Sequence, residues 1–450
     1  MHEFNKEEQE LEKSKLNYQQ LSISDDLANQ AILEGMNRAK NRKAKKRKYS
    51  SLSFFLAASI LIAGFISSIK ISDTMADYMS NVPGIETIVK FIRHDKGLLA
   101  AAENNFFQKI EASDEVDGLK VTIDSIIHDE RNLIVLFHYE AINNNQEFFP
   151  IEINLLTADR EILPSRSAFT SFDRDGDSFR VAKFPLNEND VLPEKLIASF
   201  EFSEFDESNE FIVGDKKFDR NHEIAFSINK DNFAKKEVYQ LNQTISVEGQ
   251  KITIQEVTLY PSQADVKLIY DENNSKRIFG IDDFELIDEA GRVWRPYADQ
   301  TFNLDNEEGR IIHLESPYFS NPEELSLRFS SIRALDKDEI WVEIDPIQQK
   351  ILKAPKDGRI TELFFRKEEI GIILTANYAF LQNQIFMYAE DADGNIIGDG
   401  QSLGAGGSPS DNYVNYFVPY PSDEVIKGPI RLKLLDYPAT INKEIKLKIK

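Results

Sequence analysis

The chain has 450 residues, 41% of them hydrophobic and 29% charged, which is enough for roughly two to four domains with cores of their own. Its 76 acidic and 53 basic residues give a net charge of −23, which argues against nucleic acid as a partner of the chain as a whole. Because cysteine is absent, a disulfide framework, a thiolate metal site and a cysteine nucleophile are all excluded.

Residues 1–48 form a polar segment in which one amphipathic helix is predicted. Ser24 suits an N-cap, and Asp25 and Asp26 place acids in the first turn, where the helix dipole favours them. The apolar residues expected to contact a partner are Leu27, Ala31, Ile32 and Met36. So short a segment cannot bury these side chains alone. Either a partner or the membrane surface covers them, or the tail is disordered.

A basic block and an uncharged run follow this helix. The block contains eight cations in eleven residues: Arg38, Lys40, Arg42, Lys43, Lys45, Lys46, Arg47 and Lys48. The next 21 residues, Tyr49–Ile69, carry no charge. As a helix rising about 1.5 Å per residue, this run spans the bilayer core of about 30 Å. A cleavable signal peptide is the main alternative, but it lies nearer the N-terminus and has a shorter apolar stretch.

The position of the basic block predicts the orientation of the span. Cations of this density stay in the cytoplasm, where they rest on anionic headgroups of the lipid bilayer. Residues 1–48 are therefore expected inside and residues 70–450 outside the cell. The first 48 residues have a net charge of +3 and the remainder −26, so the acidity belongs to the exported part.

Short helices near the membrane are predicted between residues 73 and 108. Ile85, Ile88, Val89 and Ile92 form one helical stripe, and Leu98, Leu99, Ala102 and Phe106 form another. We expect the stripes to pack on each other or on the first globular domain. Contact with the membrane interface is the alternative.

Four stretches of the sequence resemble domains or motifs of a known family. Residues 23–48 (ISDDLANQAILEGMNRAKNRKAKKRK) resemble the pre-membrane motif of Gram-positive single-pass membrane proteins that are encoded as partners of extracytoplasmic-function sigma factors. Residues 80–110 and 118–140 resemble the start of that family's uncharacterised extracytoplasmic domain. Residues 239–344 resemble a second uncharacterised domain often found after it. Members of known role are anti-sigma factors, so the resemblance implies that the predicted cytoplasmic helix binds a sigma factor.

Beyond the helices, apolar and polar residues alternate and the sequence repeats itself. KVTIDSIIHDERNLIVLFHYE, from Lys120, aligns without a gap with KITIQEVTLYPSQADVKLIYD, from Lys251. Each copy predicts a β-hairpin, and RITELFFRKEEIGIILTANY, from Arg359, predicts a third. The chain is thus predicted to be mainly β, with two to three immunoglobulin-like β-sandwich units. The predicted domains are 73–230 (helices and first sandwich), 236–346 and 350–450.

Two further segments recur in the same order. Acidic tight turns are predicted in LLTADREILP (155–164), LIDEAGRVWRP (286–296) and AEDADGNIIG (389–398). HEIAFSI (222–228), DEIWVEI (338–344) and KEIKLKI (443–449) predict one closing strand for each unit.

No catalytic, metal or cofactor site is predicted. Asp173, Asp175 and Asp177, and likewise Asp391 and Asp393, have the two-residue spacing of calcium loops, but both loops lack a glutamate at the twelfth position. Tight-turn chemistry explains these aspartates equally well. His94, His128, His138, His222 and His313 occur singly, in segments predicted as helix or strand. An enzyme is therefore not expected.

The function that we expect is that of a membrane-anchored, anti-sigma-factor-like regulator in signal transduction and transcription regulation. Its cytoplasmic segment would sequester an extracytoplasmic-function sigma factor, while the β domains sense the envelope, where an envelope protein is a further candidate partner. The alternative is a structural or adhesive cell-envelope protein in which the β-sandwiches form a stalk.

Overall fold

A computed structural model describes part of the chain. The described residues are 86–92, 94–142, 148–163, 168–170, 179–187, 190–204, 221–229, 234–297, 309–366, 369–376, 380, 384–399, 404–406, 413–419 and 428–450. The predicted cytoplasmic helix with Leu27, Ala31, Ile32 and Met36, the basic block and the span at 49–69 lie outside these residues. Within the described ranges, no helix is both long and apolar enough to cross a membrane.

The described part of the chain is mainly β, as predicted. It contains the helices α1 (Glu86–Ile92) and α2 (Lys96–Glu103) and a short 3-10 turn, Tyr318–Ser320. The strands form six sheets, and every pairing between described strands is antiparallel. The sheets enclose three hydrophobic cores, which define the first, second and third β units.

The first β unit contains β1 (Gln108–Val116), β2 (Leu119–His128), β3 (Asn132–Ala141), β4 (Phe148–Thr157), β5 (Ala168–Thr170), β6 (Phe179–Pro185), β7 (Lys195–Glu204) and β8 (His222–Ser227). One sheet has the order β1-β2-β3-β6-β5, and the other has the order β4-β7-β8. Alternate residues of β2 and β3 point into the core between the sheets. Phe137 from the first sheet contacts Phe200 from the second there, with ring centroids 4.9 Å apart.

The second β unit contains β9 (Glu237–Val247), β10 (Gln250–Leu259), β11 (Ala264–Tyr270), β12 (Lys276–Asp282), β13 (Glu285–Asp288), β14 (Val293–Trp294), β15 (Gly309–Leu314), β16 (Leu325–Asp336) and β26 (Thr440–Lys448). One sheet has the order β15-β11-β10-β9. In the other, β12 and β13 pair with successive parts of the long strand β16, and β26 pairs along the opposite side of β16.

The third β unit contains β17 (Trp341–Asp345), β18 (Lys350–Lys353), β19 (Ile360–Arg366), β20 (Glu369–Thr375), β21 (Phe386–Glu390), β22 (Ile396–Asp399), β23 (Gly404–Gly406), β24 (Tyr413–Pro419) and β25 (Ile430–Leu434). Its sheets have the orders β18-β17-β25-β21-β22 and β19-β20-β24-β23. The predicted hairpin from Arg359 is confirmed, because β19 and β20 pair antiparallel.

The internal repeat is confirmed and extends beyond the aligned sequence. The hairpins β2–β3 and β10–β11 both form, and each has a bulge at the same repeat position, Asp124 in one and Gln255 in the other. The turns before them also match. Asp117–Gly118 and Glu248–Gly249 have positive φ at both residues, as the twist of a two-residue hairpin requires. Glycine adopts this conformation without strain.

The closing strands are not arranged as the sequence predicts. The strand expected to close the second unit, 338–344, lies in the third unit, where β17 pairs with β18 and β25. The strand expected to close the third unit, 443–449, pairs instead with β16 of the second. That assignment of both strands is therefore wrong. All three segments have the same alternating pattern, and the pattern does not specify which sheet edge a strand joins.

The packing predicted for the short helices before the first β unit is confirmed for α1 and α2. Apolar residues of α1 and α2, including Ile88, Ile92 and Leu99, pack on the face of β2 and β3 that points away from the first core. Past the bulge, β2 is consequently buried on both faces, with Ile126 towards the first core and Ile127 towards the helices. Phe91 of α1 meets Phe179 of β6 edge to face at 4.9 Å.

Candidate functional site: the junction of the first and second β units

Equivalent hairpin turns of the two repeats contact each other at this junction. The turn after β2 is closed by a hydrogen bond from Asp129 N to Asn132 O, and the turn after β10 by one from Tyr260 N to Gln263 O. The Asp129 carboxylate accepts hydrogen bonds from Arg131 N and Asn132 N in its own turn, and from Ser262 N in the other turn at 2.7 Å. Asp129 thus organises one turn and fastens it to the second.

Asn132 makes the reciprocal contact. Its Nδ2 donates to Ser262 Oγ at 2.7 Å and to Gln263 Oε1 at 3.1 Å. Asn132 and Gln263 occupy the same position in the two repeats, so this contact joins equivalent residues of the two copies. All three side chains belong to residues with almost no exposure. Breaking one of these bonds would leave a buried polar atom unpaired, which costs about 1–3 kcal/mol.

An ionic network extends the contact towards solvent. Arg131 Nε donates to Asp265 Oδ2 at 3.0 Å, and His313 Nδ1 lies 2.6 Å from Asp265 Oδ1. Burial by itself raises the pKa of Asp265, but the hydrogen bond and charge of His313, together with the charge of Arg131, hold that pKa below its usual range. Asp265 is therefore held as an anion between the Arg131 guanidinium and the His313 ring. For Asp129, in contrast, burial raises the pKa despite the hydrogen bonds that it accepts.

A cleft of about 810 Å³ lies beside this network. One wall is the outward face of β10, β11 and β15, and the other comprises the turn after β2 and the loop after β6. Several charges that line the cleft are already paired, for example Lys236 with Glu130 at 3.2 Å and Arg131 with Asp265. Glu256 accepts a hydrogen bond from Thr258 at 2.7 Å. The cleft is therefore a polar groove between the first and second β units, and several of the charges that line it are paired with each other.

The start of α2 docks onto the second β unit above the same junction. Asp95 caps the helix by accepting from Leu98 N at 2.9 Å, and Lys96 N donates to Glu315 Oε1 at 3.1 Å. Gly97 lies against the backbone of Ser316, and a Cβ at this position would be 2.5 Å from Ser316 N. Only glycine permits this approach. Because its apolar side also packs on β2 and β3 of the first unit, α2 contacts both β units.

A second polar junction joins the second and third β units. Nε and Nη2 of Arg333 donate to the two carboxylate oxygens of Asp436, each at 3.0 Å, and Nη1 donates to Asp282. Asp436 is 1% exposed and lies directly before the segment that leads into β26. Tyr437, the next residue, donates to Asp357 at 2.6 Å. The path of the C-terminal strand from one unit to the other is thus fixed by hydrogen bonds.

Of the histidines in the described ranges, His94 lies in the turn between α1 and α2, and the others lie on strands: His128, His138, His222 and His313. His138 pairs with Asp124 at 2.7 Å, and His222 Nε2 lies 2.9 Å from Leu119 O. Asp391 accepts hydrogen bonds from the backbone of Asp393 and Asn395, which is the chemistry of a tight turn. Asp173, Asp175 and Asp177 lie outside the described residues.

One acidic group in the described part of the chain has the spacing of a metal site. It comprises Asp336, Asp338 and Glu339, at the connection between β16 and β17. Lys276 pairs with Asp336 at 2.7 Å, and Lys356 pairs with Glu339 at 2.5 Å. These lysines already compensate much of the negative charge.

Sequence reasoning did not identify the junction residues Asp129, Arg131, Asn132 and Asp265. The available signal was the repeat itself. Its copies agree along the strands and diverge at the turn, where HDERN in one copy corresponds to LYPSQ in the other. Divergence at a turn indicates that the turns have different surroundings, but it does not indicate that they contact each other.

Comparison with known proteins gives two family matches. Residues 44–141 match a domain of unknown function (DUF4179), and residues 236–354 match a family of unknown function (DUF5643). These segments overlap those that resemble the two uncharacterised extracytoplasmic domains. No curated protein matches the chain. The crystal structure of the conserved domain protein from Bacillus anthracis is similar over 55% of this chain and 84% of that chain, with 11% identity and a TM-score of 0.38.

Proposed function

We propose that this protein is a membrane-anchored regulator that sequesters an extracytoplasmic-function sigma factor through its cytoplasmic segment, while the β units outside respond to the state of the envelope. The observation that carries the proposal is the order of three segments in the N-terminal sequence. The segment predicted as a capped amphipathic helix, the eight cations in eleven residues and the 21 uncharged residues follow one another directly. This order suits an inside segment with an apolar face, a cytoplasmic flank and a single span.

The match at residues 44–141 supports the proposal, because it includes the predicted span and continues to the end of β3. It begins after the predicted sigma-binding residues, which rest on the resemblance of residues 23–48. The construction of the described part also suits an external sensor. In sequence, α1 and α2 are the first described elements after the predicted span, and they contact both the first and the second β unit. A change in either β unit would therefore act on the helices that are nearest in sequence to the predicted span.

The proposal is tested by placing charge on the apolar side of the cytoplasmic helix. In cells that carry a reporter for the cognate sigma factor, Leu27→Asp combined with Met36→Asp is expected to release transcription, because a carboxylate cannot replace an apolar anchor in a buried contact. A matched control, Gln30→Asp combined with Asn37→Asp, adds the same charge at polar positions and should keep the reporter repressed. Membrane levels of both variants are measured by immunoblot.

Equal reporter expression in the wild type and in the Leu27/Met36 variant, at equal protein levels, would contradict sigma-factor binding. It would favour the rival function, a structural or adhesive envelope protein whose β units form a stalk. Deleting residues 1–37 separates the two functions further. A regulator loses its activity inside the cell, whereas a stalk retains its role at the surface.

We also propose that the three β units are immunoglobulin-like in the sense of two antiparallel sheets packed around one core. Support comes from the three separate cores, each lined by two sheets, and from the repeated hairpins. A crystal structure of the chain tests the assignment. Closure of any pair of sheets into a barrel would contradict it.

A further inference from the structure

Two carboxylates meet at the first turn of α2, where the helix docks onto the second β unit. Asp95 belongs to the helix cap and accepts from Leu98 N at 2.9 Å. Glu315 follows β15 in the second unit and accepts from Lys96 N at 3.1 Å. The two amides that bind these carboxylates, those of Lys96 and Leu98, are only two residues apart in the helix. Arg295 N donates to the other oxygen of Glu315 at 3.2 Å. Two like charges thus share the N-terminus of one helix across an interface.

Other groups that act on Asp95 come from the first β unit, the second β unit and α2 itself. Lys183 of β6 contributes a positive charge from the first unit, and its Nζ lies 4.3 Å from the ring centroid of Tyr297. The Tyr297 hydroxyl donates to Ser262 O at 3.2 Å, and Tyr297 also lowers the pKa of Asp95. On the helix itself, Lys96 Nζ donates to Val293 O, away from the carboxylate.

The balance of these groups favours proton uptake by Asp95. Burial and the negative charge of Glu315 raise the pKa of Asp95 to about 6, although the amide of Leu98, Lys183 and Tyr297 oppose the rise. Once protonated, the carboxyl keeps an oxygen that can accept from Leu98 N, and its repulsion of Glu315 disappears. The cap is therefore retained in both protonation states, and only the docking contact changes.

We propose that Asp95 and Glu315 make the docking of α2 onto the second β unit acid-sensitive, so that the junction is held more tightly in mildly acidic surroundings than at neutral pH. The direction follows from linkage, because a carboxyl whose pKa is raised in the docked form binds protons more strongly there than in the undocked form. Docking is weakest above the raised pKa and strengthens as the pH falls towards the ordinary range of an aspartate.

The expected size of the effect follows from the same linkage. If the pKa of Asp95 is about 6 when docked and 3.8 when exposed, lowering the pH from 7.5 to 5 makes opening of the contact about tenfold rarer. The pH outside the cell would then determine how tightly α2 is docked onto the second β unit.

Hydrogen exchange of α2 tests this device in the full-length protein, purified in detergent. Protection of the amides of 98–103 is measured by mass spectrometry at pH 7.5 and pH 5, with each value corrected for the intrinsic exchange rate at that pH. The wild type is expected to gain about tenfold protection at pH 5. Asp95→Asn mimics the protonated carboxyl and still caps the helix. It should be well protected at both pH values, without the gain.

Two further variants separate this device from a general effect of acid. Glu315→Gln removes the repelling charge and should reduce the gain. Asp190→Asn removes an exposed carboxylate that also accepts a backbone amide, from Asn187 at 2.8 Å, and should leave the gain unchanged. Equal protection of the wild type at the two pH values would overturn the proposal, as would an undiminished gain in Asp95→Asn. Neither outcome bears on sigma-factor binding.

Discussion

Ile441 tests whether the C-terminal strand stabilises the second β unit. It lies on β26, is 7% exposed and packs into the core of the second unit, although it follows the whole third unit in sequence. Ile441→Ala would remove most of an aliphatic side chain from a packed site. Substitutions of this kind cost about 2–5 kcal/mol, and we expect about 3 kcal/mol because the site lies near the end of the sheet.

The two tryptophans allow each unit to be followed separately. Trp294 is 1% exposed in the second core, and Trp341 lies on β17 in the third unit. In the full chain carrying Trp341→Phe, the fluorescence of Trp294 reports on the second unit during urea unfolding. With a urea slope of about 1.5 kcal/mol per molar, Ile441→Ala should lower the Trp294 midpoint by about 2 M.

Two controls complete the experiment. Lys446→Thr changes an exposed residue of the same strand and should shift the midpoint very little. Leu432→Ala, in the third core, should lower the urea midpoint of the transition that Trp341 reports in the chain carrying Trp294→Phe. The reasoning is refuted if Ile441→Ala leaves the Trp294 transition unchanged. It is equally refuted if only the Trp341 transition moves.

Three further predictions concern the junction of the first and second units. Asn132→Ala leaves buried partners unpaired and should lower the free energy of unfolding by about 1–3 kcal/mol, whereas a loss within the error of urea titration would show that the turns are not coupled. Gly97→Val should undock α2, seen as faster hydrogen exchange of the helix at constant pH, and unchanged exchange would contradict the close approach to Ser316. The pKa of Asp265 is lowered in the fold, so its contribution is complete above an ordinary aspartate pKa and is lost as the pH falls through the lowered value. Asp265→Asn should therefore destabilise the protein at pH 7 and much less at pH 2, and an equal effect at both pH values would refute the role of its charge.

Much of the local structure could be predicted because it depends on short patterns of apolar and polar residues in the sequence. Alternation along Lys120–Glu140 and Lys251–Asp271 predicts the hairpins, since each strand buries one side of a pleated surface. The stripes through Ile88 and Leu98 predict helices for the equivalent reason at helical spacing. These patterns depend only on which residues avoid water, and neighbouring residues carry that information.

The junction residues could not be predicted in the same way. Asp129 and Asn132 are a polar turn in sequence, and polar turns ordinarily face solvent. They are buried here because the equivalent turn of the second repeat covers them, 130 or more residues along the chain. The pKa of Asp95 has a similar origin, because Glu315, its main repelling neighbour, is brought close only by folding.

By itself, the sequence determined the mainly β class, the two hairpin repeats and the helices that precede them, since hydrophobic periodicity is a local property of the chain. It also predicts the inside segment, the basic flank and the span, on which the proposed regulation rests. The tertiary structure alone decided that β26 completes the second unit, that two equivalent turns form a buried contact, and that α2 joins both units. Each of these features pairs distant segments, and the choice among chemically similar edges depends on where the folded chain brings them together.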